Sequence, residues 1–404
     1  MRTENRRFRL SMFAMVYFVQ GIALAYFRNF QKPYLDSKGI DADAIGLLTS
    51  ILLLPFVLKI FIGMLSDRIS LFGHGHRKPY IIMGLLLALL SFGVVSLVDP
   101  QSSFLLFSVL IVAGSFSVTL FDSTTDGMAI DITPKQEHGT VQGVMVGGRA
   151  LGAIILSLVF GSLAQSHGYR PVFLIIALGM LIPLFWVFRS KEPAVQDESQ
   201  AFDWAAFKVL YQKRFVVFAL FAIIYSVVSF GVDGLITYFM SNQFQAPETL
   251  IGSYGALRGI GAVLGAIGGG ILVDRLGRRR SAIWAILLIS VGAVLIGLSP
   301  ALNVLLTLSV IWGIAWGFQE TVFFALAMDL TDSRIAASMF AIMMAFSNIG
   351  TAIGEGVATG LTDNIGFRPV FLILAVLNIL TFLTVVWLFK VAPDIERIRK
   401  KSST

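Results

Sequence analysis

Apolar runs of about twenty residues, each long enough to cross a hydrocarbon layer as a helix, recur twelve times along this chain of 404 residues. They occupy 10–30, 45–65, 80–98, 104–125, 140–164 and 171–189, then 216–240, 250–272, 282–299, 302–327, 337–361 and 369–390. The breaks between them are short and polar, except for one longer charged stretch between the sixth and seventh runs. The pattern predicts an all-α integral membrane protein of twelve transmembrane helices.

The two sets of six runs are related. Asp131 recurs as Asp329, Gly152 as Gly350 and Arg170 as Arg368, always at the same interval of 198 (329 − 131). A gapless register over about fifty residues, flanked by apolar runs, predicts two pseudo-symmetric six-helix bundles. The expected organisation is a first bundle over 1–190, a cytoplasmic linker over 191–215, a second bundle over 216–390 and a tail over 391–404. Within the linker, Phe202, Trp204 and Phe207 alternate with charges, as in a short helix lying on a membrane surface.

Composition agrees, with 56% hydrophobic residues, 14% charged residues and a mean hydropathy of +0.81. A soluble domain could not hide so much apolar surface. The net charge of +7 would suit nucleic acid, but its placement argues for topology instead. Of the 31 Lys and Arg, only Lys32, Lys38, Arg170 and Arg368 fall in expected outer loops, and Arg28, Lys59, Arg149 and Arg258 lie within runs. The other 23 lie in segments that are cytoplasmic if both termini are, or, for Arg189 and Lys390, at the last position of a run on that side, which is the positive-inside pattern. The chain has no cysteine, which excludes disulfides, thiol catalysis and Cys-ligated metals. His74 and His76 lack a third ligand nearby, so no metal site is expected, and no nucleophile triad or phosphate loop suggests an enzyme or a cofactor.

Charges inside the runs need a reason, since each is costly in hydrocarbon. Asp122 and Asp126 are four apart and so share one helix face, an arrangement suited to proton binding and release. Glu320 stands opposite Asp122 in the repeat, and Ser347 stands opposite Arg149. Arg149 lies too deep for easy snorkelling and needs an acid, Asp122 or Glu320, or an anionic ligand. Trp312, Trp316 and Glu320 follow at intervals of four, which suits a cavity wall for a ring-bearing ligand. Tyr17, Gln20 and Asn348 are further candidates for lining that cavity. Asp233 and Arg258 fall at similar depth in adjacent runs and make a candidate ion pair, structural or part of an outer gate. Pro55 is expected to bend the second helix.

Two loops carry a shared signature. Gly63-Met-Leu-Ser-Asp67-Arg68 after the second run matches Gly270-Ile-Leu-Val-Asp274-Arg275 after the eighth. This repeated G-x-L-x-D-R before a basic turn resembles the loop signature of the major facilitator superfamily. Asp67, Arg68, Asp274 and Arg275 are then candidates for a conformational latch at helix ends. Tyr17-Phe-Val-Gln-Gly21, Leu54-Pro-Phe-Val-Leu-Lys59, Arg77-Lys-Pro-Tyr80 and the stretch from Asp122 to Asp131 are similar to the folate–biopterin transporter branch and, in part, to AmpG-like muropeptide permeases. The resemblance implies a secondary active transporter for a small organic anion or ring-bearing metabolite. Such a protein would work as a monomer by alternating access in the plasma or inner membrane. The buried acids suggest a proton as the coupling ion. A cation-coupled sugar symporter is the alternative, because the Arg77–Tyr80 loop is also similar to such symporters. A non-transporting sensor or assembly factor of the same fold is the alternative from another class.

Overall fold

A computed structural model describes residues 5–69, 71, 77–134, 137–190, 211–330 and 336–397. The linker residues 191–210, with Trp204, and the loop histidines His74 and His76 lie outside the described residues, as do the side chains of Asp67, Arg68 and Asp274. Every regular element among the described residues is helical.

The first long helix is α1 (Arg6–Ala25). It passes through a single π turn at Tyr26–Phe30 into α2 (Gln31–Ser37), and so extends beyond the expected 10–30. Then come α3 (Ala42–Val57), α4 (Lys59–Arg68), α5 (Lys78–Val95), α6 (Phe104–Ile132), α7 (His138–His167), α8 (Arg170–Gly179) and α9 (Leu181–Arg189). The later part of the chain forms α10 (Lys213–Phe244), α11 (Glu248–Leu276), α12 (Arg278–Gly297), α13 (Leu302–Leu330), α14 (Ala336–Ile365), α15 (Phe367–Val391) and the short α16 (Asp394–Arg397). Ten of the described helical stretches are long and apolar enough to cross a membrane, counting α1 with α2 and α8 with α9 as one stretch each. The two remaining expected spans are α3 continued by α4, and α14. The repeat is visible in the backbone. Gly168 and Gly366, one interval apart, turn the chain out of α7 and α14 with φ of 71° and 79°, a conformation costly for a residue with a Cβ.

The helices cluster into two compact units. The first comprises Met1–Ile40, Leu58–Ser199 and Gln245–Ala256. In it, α1 and α7 touch backbone to backbone. A Cβ on Gly21 would lie 2.2 Å from the carbonyl oxygen of Arg149, and one on Gly152 would lie 2.2 Å from that of Phe18. Small residues at such crossings let dispersion and close packing replace the hydrophobic drive that a bilayer lacks. A second cluster is aromatic: Tyr34 stacks on Tyr169 with centroids 4.0 Å apart, and Phe107 and Phe173 pack edge-on around them.

The second unit comprises Asp41–Val57, Gln200–Phe244 and Leu257–Thr404. Its core stacks Phe218 and Tyr225 on Phe323 at 5.6 and 5.0 Å. Met339 and Met343 are buried in the same cluster. Helices α11 and α13 also meet through glycines, with Gly313 and Gly317 set against the carbonyls of Arg258 and Ala262. Each unit has an ion pair at the end of its acid-bearing helix. Arg77 Nε donates to Asp131 Oδ2 at 3.1 Å in the first, and Arg278 Nε donates to Asp329 Oδ2 at 2.8 Å in the second.

Candidate functional site

The second span breaks where Pro55 predicts. Helix α3 ends at Val57, Leu58 adopts a non-helical ψ of 1°, and α4 restarts with Lys59 as its first residue. Interrupted helices at membrane depth are tolerated where the backbone is buried in protein or lines a cavity, and in transporters they mark binding regions. Beside the break, Ser123 donates to the carbonyl of Lys59 at 3.2 Å.

Lys59 leads into the charged centre of the first unit. Its ammonium donates to Asp122 Oδ2 at 2.6 Å and to Asp126 Oδ2 at 2.5 Å. The shared helix face expected for the two acids therefore converges on one cation. The other oxygen of Asp126 accepts a hydrogen bond from the Tyr17 hydroxyl. Asp122 is almost fully buried, its side chain 5% exposed, whereas Asp126 and Lys59 are about one third exposed at 35% and 32%. Arg149 lies with its guanidinium carbon 6.0 Å from the Tyr17 ring centroid, held there by the glycine contacts of α1 with α7. Asp122, one of the two acids expected to meet Arg149, is instead the partner of Lys59. No carboxylate lies within ion-pair distance of Arg149 among the described residues. Gln20 is buried nearby on α1, and its Oε1 has no hydrogen-bond partner among the described residues.

In the second unit the tyrosine–carboxylate motif recurs, with the Tyr225 hydroxyl donating to Glu320. Arg258 grips Asp233 with two hydrogen bonds of 2.9 and 2.5 Å, and their side chains are only 12% and 10% exposed. The tryptophans expected to form an open wall are drawn into this pair. Trp312 is 1% exposed and donates from Nε1 to Asp233 at 2.7 Å, while Trp316 lies under the Arg258 guanidinium at 4.1 Å. Such a buried carboxylate needs every donor it can gather, and the Trp312 indole N–H is one of them. Asn348 likewise has a structural partner, since its Nδ2 donates to the Phe56 carbonyl at 3.0 Å. Ser347, which occupies the position of Arg149 in the repeat, bonds Ser226 at 2.7 Å. Of the expected latch residues, Arg275 is exposed.

Lys59 and Tyr225 are the residues that sequence reasoning left unassigned. Lys59 had a signal, being one of four cations within apolar runs and part of the Leu54–Lys59 motif. Which acids it would meet depends on how α4 faces α6, and the sequence does not encode that locally.

The Major Facilitator Superfamily model matches residues 12–241 and 222–403, which together cover nearly the whole chain. The chain belongs to the major facilitator superfamily. It is 24% identical over 407 aligned residues to a folate-biopterin transporter of Synechocystis, covering 91% of this chain and 78% of that one. It is 26% identical to the multidrug resistance protein MdtG of Dickeya zeae, with coverage of 89% and 88%. A cis,cis-muconate transport protein of Acinetobacter baylyi is 24% identical over 63% of this chain and 62% of that one. Among solved structures, the nucleoside transporter NupG superposes with a TM-score of 0.74 at 14% identity, covering 94% of this chain and 99% of that one. An inward-facing bacterial homolog of the lysosomal transporter Spinster gives 0.71 at 18%, covering 98% of each chain. At these identities the structural likeness speaks for the fold alone. This superfamily member is an integral membrane transporter of twelve helices in two related halves, and not an enzyme. Its likeness to a folate-biopterin transporter extends well beyond the first-half motifs, over most of the chain.

Proposed function

We propose that the protein is a secondary active transporter that carries a small, ring-bearing organic anion across the plasma or inner membrane, coupled to protons. The observation that carries this reading is Arg149. It is a guanidinium inside an apolar span with no acid at ion-pair distance among the described residues, seated over an aromatic ring. Such a charge is costly in hydrocarbon unless an anion or water-filled space meets it, and its planar donors suit a carboxylate. The relatives named for folate–biopterin and muconate transport point to the same ligand chemistry. Tyr17 and Gln20 serve the ligand beside Arg149. In the second unit Trp316 offers a ring face, and Trp312 and Asn348 hold their neighbours in place. A carboxylate among Asp122, Asp126 and Glu320 takes the proton. The halves over 1–190 and 216–390, joined by 191–215, work by alternating access as a monomer. Asp67, Arg68, Asp274 and Arg275 latch helix ends on the cytoplasmic side, where both termini lie, and Asp233 with Arg258 serves the outer gate.

The test is a thermal-shift screen of purified protein against folate, biopterin, cis,cis-muconate and neutral sugars, with Arg149→Ala alongside. Ligand that binds only the folded protein raises its melting midpoint. An anionic member of the set should stabilise the wild type. Arg149→Ala should bind it roughly tenfold to a hundredfold more weakly, the worth of a hydrogen-bonded charge at about 1.5–3 kcal/mol. Stabilisation by sugars alone, equal in wild type and variant, would make Arg149 structural and end the anion reading.

A further inference from the structure

The charged groups and the one hydroxyl that face one another inside the first unit come from four helices. They are Tyr17 from α1, Lys59 from α4, Asp122 and Asp126 from α6, and Arg149 from α7. Asp131, the next acid along α6, is held apart by Arg77. With both aspartates ionised, two positive charges meet two negative ones, so the cluster is neutral before any ligand arrives. Net charge in a poorly solvated place is costly, and a site tends to keep its charge balanced through each step.

We propose that Lys59 is the coupling residue of this site and that each singly charged anion bound at Arg149 is accompanied by one proton taken up at Asp126, so that the pair crosses without net charge. This rests on the anion-transport reading above. The geometry supplies the order of events. A monoanion beside Arg149 would leave the cluster with one negative charge in excess. Asp126 is the more exposed of the two acids, at 35% against 5% for Asp122, and so is the one assigned to take up the proton. A proton from water adds to Asp126 Oδ2, forming an O–H bond and replacing the hydrogen bond from Lys59. The released ammonium donor turns to the anion, while Lys59 stays anchored on Asp122. Tyr17 ties the two halves of the event, because its hydroxyl holds Asp126 while its ring lies against Arg149. When the anion leaves, Lys59 returns to Asp126 and the proton departs to water on the receiving side.

The experiment uses the full chain in detergent or nanodiscs with pterin-6-carboxylate as probe, which carries one negative charge near neutral pH. Calorimetry in buffers of different ionisation enthalpy counts the protons taken up per probe bound. The wild type should take up one, and Asp126→Asn should take up none and bind with an affinity that no longer depends on pH. Lys59→Met should bind at least tenfold more weakly at pH 7.5 and recover as the pH falls, whereas Lys59→Arg should keep the wild-type profile. In proteoliposomes, probe uptake should follow a pH gradient and ignore a potassium–valinomycin potential. Binding without proton uptake in the wild type, or one proton still taken up by Asp126→Asn, would overturn the proposal. If Lys59→Met does not fold, the wild-type and Asp126→Asn proton counts decide alone. No binding of the probe, with binding of a neutral sugar, would instead show that the anion reading itself has failed.

Discussion

Arg258→Met removes the guanidinium that grips Asp233 through two hydrogen bonds and covers Trp316. Both charges are nearly buried, at 12% and 10% exposure, so solvent cannot take over the lost contact. Breaking a buried ion pair from one side costs about 3–5 kcal/mol, because the remaining charge keeps its desolvation penalty. The indole of Trp312 still donates to Asp233, which places Asp233 without its guanidinium near the lower end, at about 3 kcal/mol. The lost cation–π contact at 4.1 Å adds about 1 kcal/mol. Asp233→Asn keeps that contact and should cost about 3 kcal/mol by itself. The double variant carries no uncompensated charge and should come within about 1–2 kcal/mol of wild type, since neutral replacements of buried pairs are often tolerated. Reversible unfolding in mixed micelles, followed by tryptophan fluorescence, reads the cycle at the site itself because Trp312 is buried against the pair. An Arg258→Met variant within about 1 kcal/mol of wild type, or a double variant no better than the worse single, would refute the reasoning. A stable double variant that no longer transports would assign the pair to gating rather than to architecture.

Asn348→Leu keeps the volume but removes the donor to the Phe56 carbonyl beside the helix break. It should cost about 1 kcal/mol, the net worth of an ordinary hydrogen bond, because the contact is only partly buried, and a melting midpoint equal to wild type would show that the contact is dispensable. The Lys38–Asp99 pair is exposed at 31% and 47%, and its hydrogen bond holds the Asp99 carboxyl below its ordinary value of 3.8. A folded-state value lowered in this way adds stability above the unfolded value and loses it as the pH falls through the folded one. Lys38→Gln should therefore change stability by less than about 1 kcal/mol at pH 7 after solvent screening, with the difference vanishing only below about pH 4. A difference that changes between pH 5.5 and 7.5 would point to another titrating group.

The sequence alone determined the membrane class, the twelve spans and the two-fold repeat. Span length and the placement of Lys and Arg are local properties, set by the thickness of hydrocarbon and by the cost of moving charge across it. It also flagged many of the charges that have to be accounted for, because Asp122, Asp126, Arg149, Asp233, Arg258 and Glu320 all stand out against apolar neighbours. Asp233 and Arg258 lie 25 positions apart on adjacent spans at similar depth, and their pairing was legible for that reason. Tertiary structure alone decided the partners of the others. Lys59 reaches acids 63 and 67 positions away, and only the rotation of α4 against α6 tells which cation they meet. The same packing leaves Arg149 beside a tyrosine rather than an acid, since Gly21 and Gly152 bring α1 onto α7 at that height. Trp312 and Asn348 have the chemistry of ligand contacts, but the fold uses them to satisfy a buried carboxylate and a carbonyl beside a helix break. Apolarity marks which segments enter the membrane, whereas the pairing of the few polar groups within it depends on helix facing and contact distance, which arise only when the helices pack.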